Sequence, residues 1–213
     1  MNPLLIGIQA RTNSTRLKGK IYEKIGDKSI LEWVYNACCI EVHHKIIQCL
    51  PIVLGPIDDV RLRDFCLEKK MEYREGDPED LVTRYLSAIT AYQAWACIRV
   101  TGDCWRMEKA IVEECARLLT DTDYASNTVT RSFMEGLDVQ GATVAGWNWL
   151  DRNQTERREH PWVVFDENAK VRDRFVLDGL TWRQMINKAN PIFTKTSIDV
   201  QEELDLARQT KLA

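Results

Sequence analysis

No run of apolar residues in this 213-residue chain approaches the roughly 20 needed to cross a bilayer, so a membrane protein is not expected. The opening Met1-Asn2-Pro3-Leu4-Leu5-Ile6-Gly7-Ile8 lacks the basic segment and the apolar length of a secretory signal. It reads as a first strand, and a cytoplasmic location is expected. Positive charge is not in excess either: 29 Lys plus Arg stand against 32 Asp plus Glu, a net charge of −3. That balance speaks against a partner nucleic acid held by bulk charge. The seven cysteines form no C-x-x-C pair, and the three histidines have no ligand spacing relative to any of them. A zinc site is therefore not expected, and the cysteines read as reduced, mostly buried thiols. Internal repeats and low-complexity tracts are absent. With 45% apolar and 29% charged residues the composition is that of a folded globular protein, expected as a single domain over residues 1–213.

What is present is an alternation of short apolar runs with helical patterns. Leu4–Ile8 is a buried-strand candidate, and Ser29-Ile30-Leu31-Glu32 is a capping box opening a helix to about Ile40. Lys45–Leu54 reads as a strand, with Pro51 at its end or at an irregularity. Ile57–Lys70 fits a helix and Met71–Arg74 a short strand. Asp77-Pro78 predicts an N-cap and first helical position, with the helix running to about Gln93. Ala96–Val100 is β-rich, Glu108–Leu119 helical, Tyr124–Ser126 a short strand and Val200–Gln209 a final helix. This pattern predicts an α/β fold with a largely parallel sheet covered on both faces. Residues 133–180 differ: Gly136, Gly141, Gly146 and two strand-like runs, Trp162–Phe165 and Val171–Leu177, predict a hairpin or small β-rich subdomain. His43-His44 reads as a surface loop. Most tryptophans read as core, while Trp147 and Trp149 alternate and are candidates for facing a partner subunit.

In an open parallel sheet, binding groups gather at the carboxyl ends of the strands. The segment after the first strand, Gln9-Ala10-Arg11-Thr12-Asn13-Ser14-Thr15-Arg16-Leu17-Lys18-Gly19-Lys20, concentrates four cations, three hydroxyls and a glycine in one strand-to-helix loop. Backbone N–H groups and hydroxyls make an anion-binding concavity, to which Arg and Lys add charge. The donor density suits a triphosphate better than a single phosphate. The loop is not a Walker A motif. Composition alone favours a solvated basic loop; its place directly after the first strand argues for phosphate.

Two carboxylates are candidates to face it. Asp103 ends Ile98-Arg99-Val100-Thr101-Gly102-Asp103, where it would project into the same crevice and could hold Mg²⁺, although a turn aspartate explains it as well. Asp199 is a second metal candidate and equally a helix N-cap, with Glu202 three residues on.

Taken together, these segments resemble the cytidylyltransferases that make CMP-activated sugars, above all the spore-coat-polysaccharide branch related to CMP-Kdo and CMP-sialic acid synthetases. Residues 9–20 match Q-A-R-x-x-S-T-R-L-x-G-K at every specified position. Asp80-Leu81-Val82-Thr83-Arg84-Tyr85 matches D-[VL]-x-x-R-Y, and Arg99 to Cys104 matches R-x-T-G-D-C. Ser126-Asn127-Thr128, Gly136-Leu137-Asp138-Val139, Arg158-Glu159-His160 and Ser197-Ile198-Asp199 follow in the family's order. The resemblance implies a Rossmann-like, doubly wound, mostly parallel sheet. It also implies that the β-rich subdomain at 133–180 closes on the acceptor and helps form a homodimer.

The implied activity is transfer of CMP from CTP to a small-molecule acceptor, an acidic sugar, with Mg²⁺ and release of pyrophosphate. By position, Arg11, Ser14, Arg16 and Lys20 would hold the triphosphate, with Arg11, Lys20 and Asp103 catalytic. Gln9, Ala10 and Arg84 would line the nucleoside pocket, Asp138, Glu159 and His160 would face the acceptor, and Asp103 and Asp199 would hold the metal. Three places depart from the pattern: Trp105-Arg106 replace a proline and an apolar residue, Gln140 replaces a Glu, and Pro161-Trp162 follow R-E-H directly. All three lie on the implied acceptor side, where Trp105 is expected to narrow the pocket or stack on a ring. Alternatives are a cytidylyltransferase for a phosphonate or sugar phosphate, and a catalytically silent nucleotide-binding module. A glycosyltransferase is disfavoured because Gly102-Asp103-Cys104 stands where D-x-D is expected.

Overall fold

In the first strand, β1 (Leu4–Gln9), side-chain alternation sends Leu4, Ile6 and Ile8 into one core layer and Leu5 into the other. A strand buried on both faces reads as a continuous apolar run, which is why this one is legible without any alternation. The computed structural model describes residues 2–42, 47–130, 133–170, 176–177, 179–185 and 197–212. His43, His44 and residues 171–175 of the second strand-like run lie outside the described residues.

Beside β1 lie β4 (Cys49–Pro56) and β5 (Tyr73–Gly76) on one side and β6 (Ala96–Thr101) on the other, all parallel. The sheet continues through β8 (Val139–Thr143), antiparallel to both neighbours, then β7 (Tyr124–Ser126), β10 (Leu180–Gln184) and the short β9 (Val176–Leu177). Its order is β5-β4-β1-β6-β8-β7-β10-β9. One face is covered by α1 (Ile30–Cys38), α2 (Val60–Glu68) and α4 (Lys109–Leu119), the other by α3 (Leu81–Ala91), α5 (Val144–Asn153) and α6 (Val163–Lys170). A small hairpin of β2 (Lys24–Ile25) and β3 (Lys28–Ser29) packs against the last helix, α7 (Gln201–Leu212). The mostly parallel, doubly covered α/β sheet expected from the alternation is present. Among the described residues no helix is long and apolar enough to cross a membrane.

Several expectations are corrected. Pro51 lies inside β4, paired in register with Ile6. The Val53 N–H points to Glu72 of the β5 segment, so the position two residues earlier points the same way, where β5 no longer runs. The donor that proline lacks therefore has no ladder partner to lose. The third helix starts at Leu81 rather than after Asp77. Asp80 caps it through Thr83 N (2.8 Å), while Asp77 Oδ1 accepts from the N–H groups of Glu79 and Asp80 in the preceding turn. Trp162–Phe165 is not a strand: α6 begins at Val163, and Trp162 and Phe165, three apart, both bury against Tyr124. The β-branched pair Val163-Val164 carries the strand propensity, and the packing of those two aromatics overrides it. Trp147 and Trp149 face the interior, not a partner: Trp147 stacks on Tyr85 and Trp149 meets Phe165 edge-on. Within 133–180, β8 joins the main sheet and α5 covers it rather than forming a separate layer.

Candidate active site

The chain leaves β1, builds β4 and β5 on one side, then returns to place β6 on the other. That reversal opens a crevice at the carboxyl ends of β1 and β6. A cleft of about 580 Å³ lies there. Gly102 permits the close approach of the two strand ends, since a Cβ on it would sit 3.0 Å from the Gln9 carbonyl oxygen and 3.1 Å from Ala10 Cβ.

The cationic loop after β1 is folded around Thr12. The Thr12 carbonyl accepts from Ser14 N and Gly19 N, and its own N–H and hydroxyl donate to Asp59 at 2.6 Å each. Tyr22 OH shares the Thr12 hydroxyl, and Arg61 lies over the Tyr22 ring. Asp59 is also the N-cap of α2, so one carboxylate ties the loop to a helix end. The loop does not run straight into a helix as expected. Gly19, with φ +71°, turns it into a single 3₁₀ turn over Lys20–Tyr22, and the β2–β3 hairpin follows before α1.

That turn buries Lys20 and directs its ammonium to both candidate carboxylates. Nζ donates to Asp103 and, at 2.8 Å, to Asp199; Arg16 adds a second cation on Asp199 at 3.0 Å. Glu203, rather than Glu202, reaches back to accept from Asp199 N and Val200 N. What carries Asp199 to the site is a small apolar cluster in which Ile198 packs with Ile25, Ile30, Leu204 and Ala207. Trp105 and Trp33 pack on this cluster, and Ile198 N donates to the Asp103 carbonyl at 3.3 Å. Trp105, expected in the pocket, does not line the cleft; it supports the segment that holds Asp199. Burial together with the Asp103 and Asp138 charges holds the Cys104 thiol well above its usual range, so it is no nucleophile.

Gln9, Ala10, Arg11, Ser14, Arg16, Lys20, Arg84, Asp103, Glu159, His160 and Asp199 all line this one cleft. Asp138 does not; it precedes β8, near Cys104. Arg84 is buried and donates to the Asp77 and Pro78 carbonyls, fixing the cleft wall that Pro78 and Glu79 form. Burial, with Arg11 adding repulsion, holds its guanidinium below its usual range. Glu159 and His160 are placed by their neighbour Arg158, which pairs with Asp80 (2.6 Å) and Asp151 (2.7 Å).

Two residues of the site were not legible as such. Arg99 lines the cleft, donating from Nε to Gln9 Oε1 (2.8 Å) and from Nη1 to Gln140 Oε1 (2.7 Å). A charge inside the buried run Ile98-Arg99-Val100 was the available signal. Asp59 had none, because it acts across 47 residues of chain.

A cytidylyltransferase family model matches residues 5–211. The spore coat polysaccharide biosynthesis protein SpsF of Bacillus subtilis is 31% identical over 106 residues, which is 48% of this chain and 44% of that protein. Among solved structures, a cytidylyltransferase from Leptospira borgpetersenii has a TM-score of 0.81 at 24% identity, over 96% of this chain and 84% of that one. A CMP:2-keto-3-deoxy-manno-octonic acid synthetase complexed with CTP has a TM-score of 0.68 at 13% identity, over 99% of this chain and 98% of that one.

Proposed function

Since the chain belongs to the cytidylyltransferase family, we propose that it transfers CMP from CTP to an acidic sugar and releases pyrophosphate. The observation that carries this reading is the convergence of Asp103 and Asp199 on the Lys20 ammonium, beside the cationic loop and at the sheet's reversal point. The CTP complex of a structural neighbour and the partial likeness to SpsF support it.

The donor set suits Mg²⁺. Two hard carboxylates meet at one cationic point, and among the described residues no cluster of three or more His, Cys, Asp or Glu forms a cation cage. Mg²⁺ is commonly held by one or two carboxylates, with water and substrate phosphates completing its octahedron. Asp103 and Asp199 would hold the ion, which when bound would offset negative charge on the phosphates.

Arg11, Ser14, Arg16 and Lys20 bind the triphosphate and neutralise charge gathering on the departing pyrophosphate. Gln9, Ala10 and Arg84 flank the nucleoside, while Glu159 and His160 face the acceptor. In-line attack by an acceptor oxygen on the α-phosphorus needs little covalent help from the protein, because positioning and charge neutralisation lower most of such a barrier.

The test is pyrophosphate release from CTP and Mg²⁺ across acidic sugars, sugar phosphates and phosphonates. Release with an acidic sugar is expected. Release only with a phosphonate or sugar phosphate reassigns the acceptor. CTP binding with no release across the panel overturns the transferase reading.

A further inference from the structure

We propose that Arg99, anchored through a hydrogen-bond relay by Gln140 and Asp166, fixes which end of the Gln9 amide faces the cleft, making Gln9 the side chain that selects cytosine over uracil. The inference rests on the reading that Gln9 flanks the nucleoside.

Its origin is a carboxylate. Asp166 accepts from Tyr124 OH on one oxygen (2.7 Å) and from the Thr128 hydroxyl on the other (2.7 Å). Gln140, 4% exposed, points its Nε2 at the same corner, 3.1 Å from Asp166 Oδ2 and 2.9 Å from Thr128 Oγ1. A carboxylate only accepts, so the amine end of this amide must face it and Oε1 must face the other way. There Oε1 meets Arg99 Nη1 at 2.7 Å. Turning the Gln140 amide over would set oxygen against the Asp166 oxygen and N–H against the Arg99 N–H, losing favourable contacts at both ends of a buried group.

Arg99, held there by Gln140, fixes the second amide by its own chemistry. A guanidinium has donors and no acceptor, so Gln9 must present Oε1 to Arg99 Nε, as it does at 2.8 Å. The Gln9 Nε2 is then the end left for the cleft, where it has no hydrogen-bond partner among the described residues. Cytosine N3 is an acceptor and uracil N3 carries a hydrogen. An N–H donor fixed at this point bonds the first and opposes the second.

The relay also accounts for Gln140, which departs from the Glu of the resembling pattern. A carboxylate there would confront Asp166 across about 3 Å, a like-charge contact. The amide joins a carboxylate on one side to a guanidinium on the other without that repulsion.

The test is calorimetric binding of CTP, UTP and inorganic tripolyphosphate with Mg²⁺, with no acceptor present. The wild type should prefer CTP. Gln140→Leu, which removes the acceptor of Arg99 Nη1 and frees the guanidinium to leave Gln9, should reduce the CTP:UTP affinity ratio by about tenfold, the worth of one well-placed hydrogen bond. Tripolyphosphate affinity should stay unchanged. Gln9→Glu, which places an acceptor at the same point, should shift preference towards UTP and provides a second variant if Gln140→Leu folds poorly. An unchanged ratio in folded variants overturns the relay. A wild type that binds CTP and UTP equally overturns it too, while leaving nucleotidyl transfer intact. A wild type that binds neither nucleotide overturns the proposed function as well, so the two failures are told apart.

Discussion

The two ends of the cleft neutralise positive charge in opposite ways. At the loop end, Lys20 and Arg16 are matched by the carboxylates of Asp103 and Asp199. At the floor and wall, Arg99 and Arg84 bond neutral oxygens, the amides of Gln9 and Gln140 and the carbonyls of Asp77 and Pro78. Ion pairs exchange partners readily when a polyanion and its counter-ion arrive, because charge replaces charge. A guanidinium held by neutral acceptors keeps its net charge and its orientation. On the proposed function, the first end would rearrange when the nucleotide binds, while the second would keep its geometry.

The sharpest way to break this contrast is at Asp103. Asp103→Ala should lower turnover by about 10²–10³, the usual cost of removing one electrostatic partner, while calorimetric CTP binding largely survives. Wild-type turnover would remove Asp103 from the mechanism.

Lys20→Met comes next. It leaves two carboxylates without their shared ammonium and should destabilise the protein by on the order of 3 kcal/mol, as for a broken buried pair. Denaturant unfolding measures this, and an unchanged midpoint would mean that Lys20 does not hold the two carboxylates in solution.

Asp59→Ala removes a helix cap and the clamp on Thr12 together. A loss of about 1–2 kcal/mol in stability is expected from the cap. Weaker tripolyphosphate binding should accompany it, and a stability loss alone would show that the loop does not depend on the clamp.

The smallest effect concerns the ion pair that positions Glu159 and His160. Burial pushes the Asp80 carboxyl up, but bonds from Thr83 N and Arg158 outweigh it and hold the group below its usual range. A depressed carboxyl stabilises the fold above its unfolded pKa, and that contribution is lost as pH falls through the folded value. Asp80→Asn should therefore lower Tm modestly at pH 7, with the two melting curves converging in acid once the pH has fallen through the lowered value of the Asp80 carboxyl. A gap that persists in acid would assign the effect to packing instead.

The legible parts of the fold were those encoded locally. The capping box at Ser29 and Glu32 forms with both of its hydrogen bonds, and β1, β6 and β7 lie where their apolar runs predict. The start of α3 was misjudged because Asp77 and Asp80 are both good caps, and only the packed structure selects between them. Trp162–Phe165 was misjudged because local propensity for strand lost to aromatic packing against Tyr124. At the site, the loop over residues 9–20 and both aspartates were legible as motifs.

The order of residues by itself determined a strand, a cationic loop and two isolated carboxylates, because caps, buried runs and charge clusters act within a few positions of one another. Only the tertiary structure decided that Asp199 reaches Lys20 across 179 residues, that Asp59 clamps Thr12, and that Trp105 supports the site from behind. Such contacts follow from which apolar clusters close together, and hydrophobic burial has no fixed spacing along the chain.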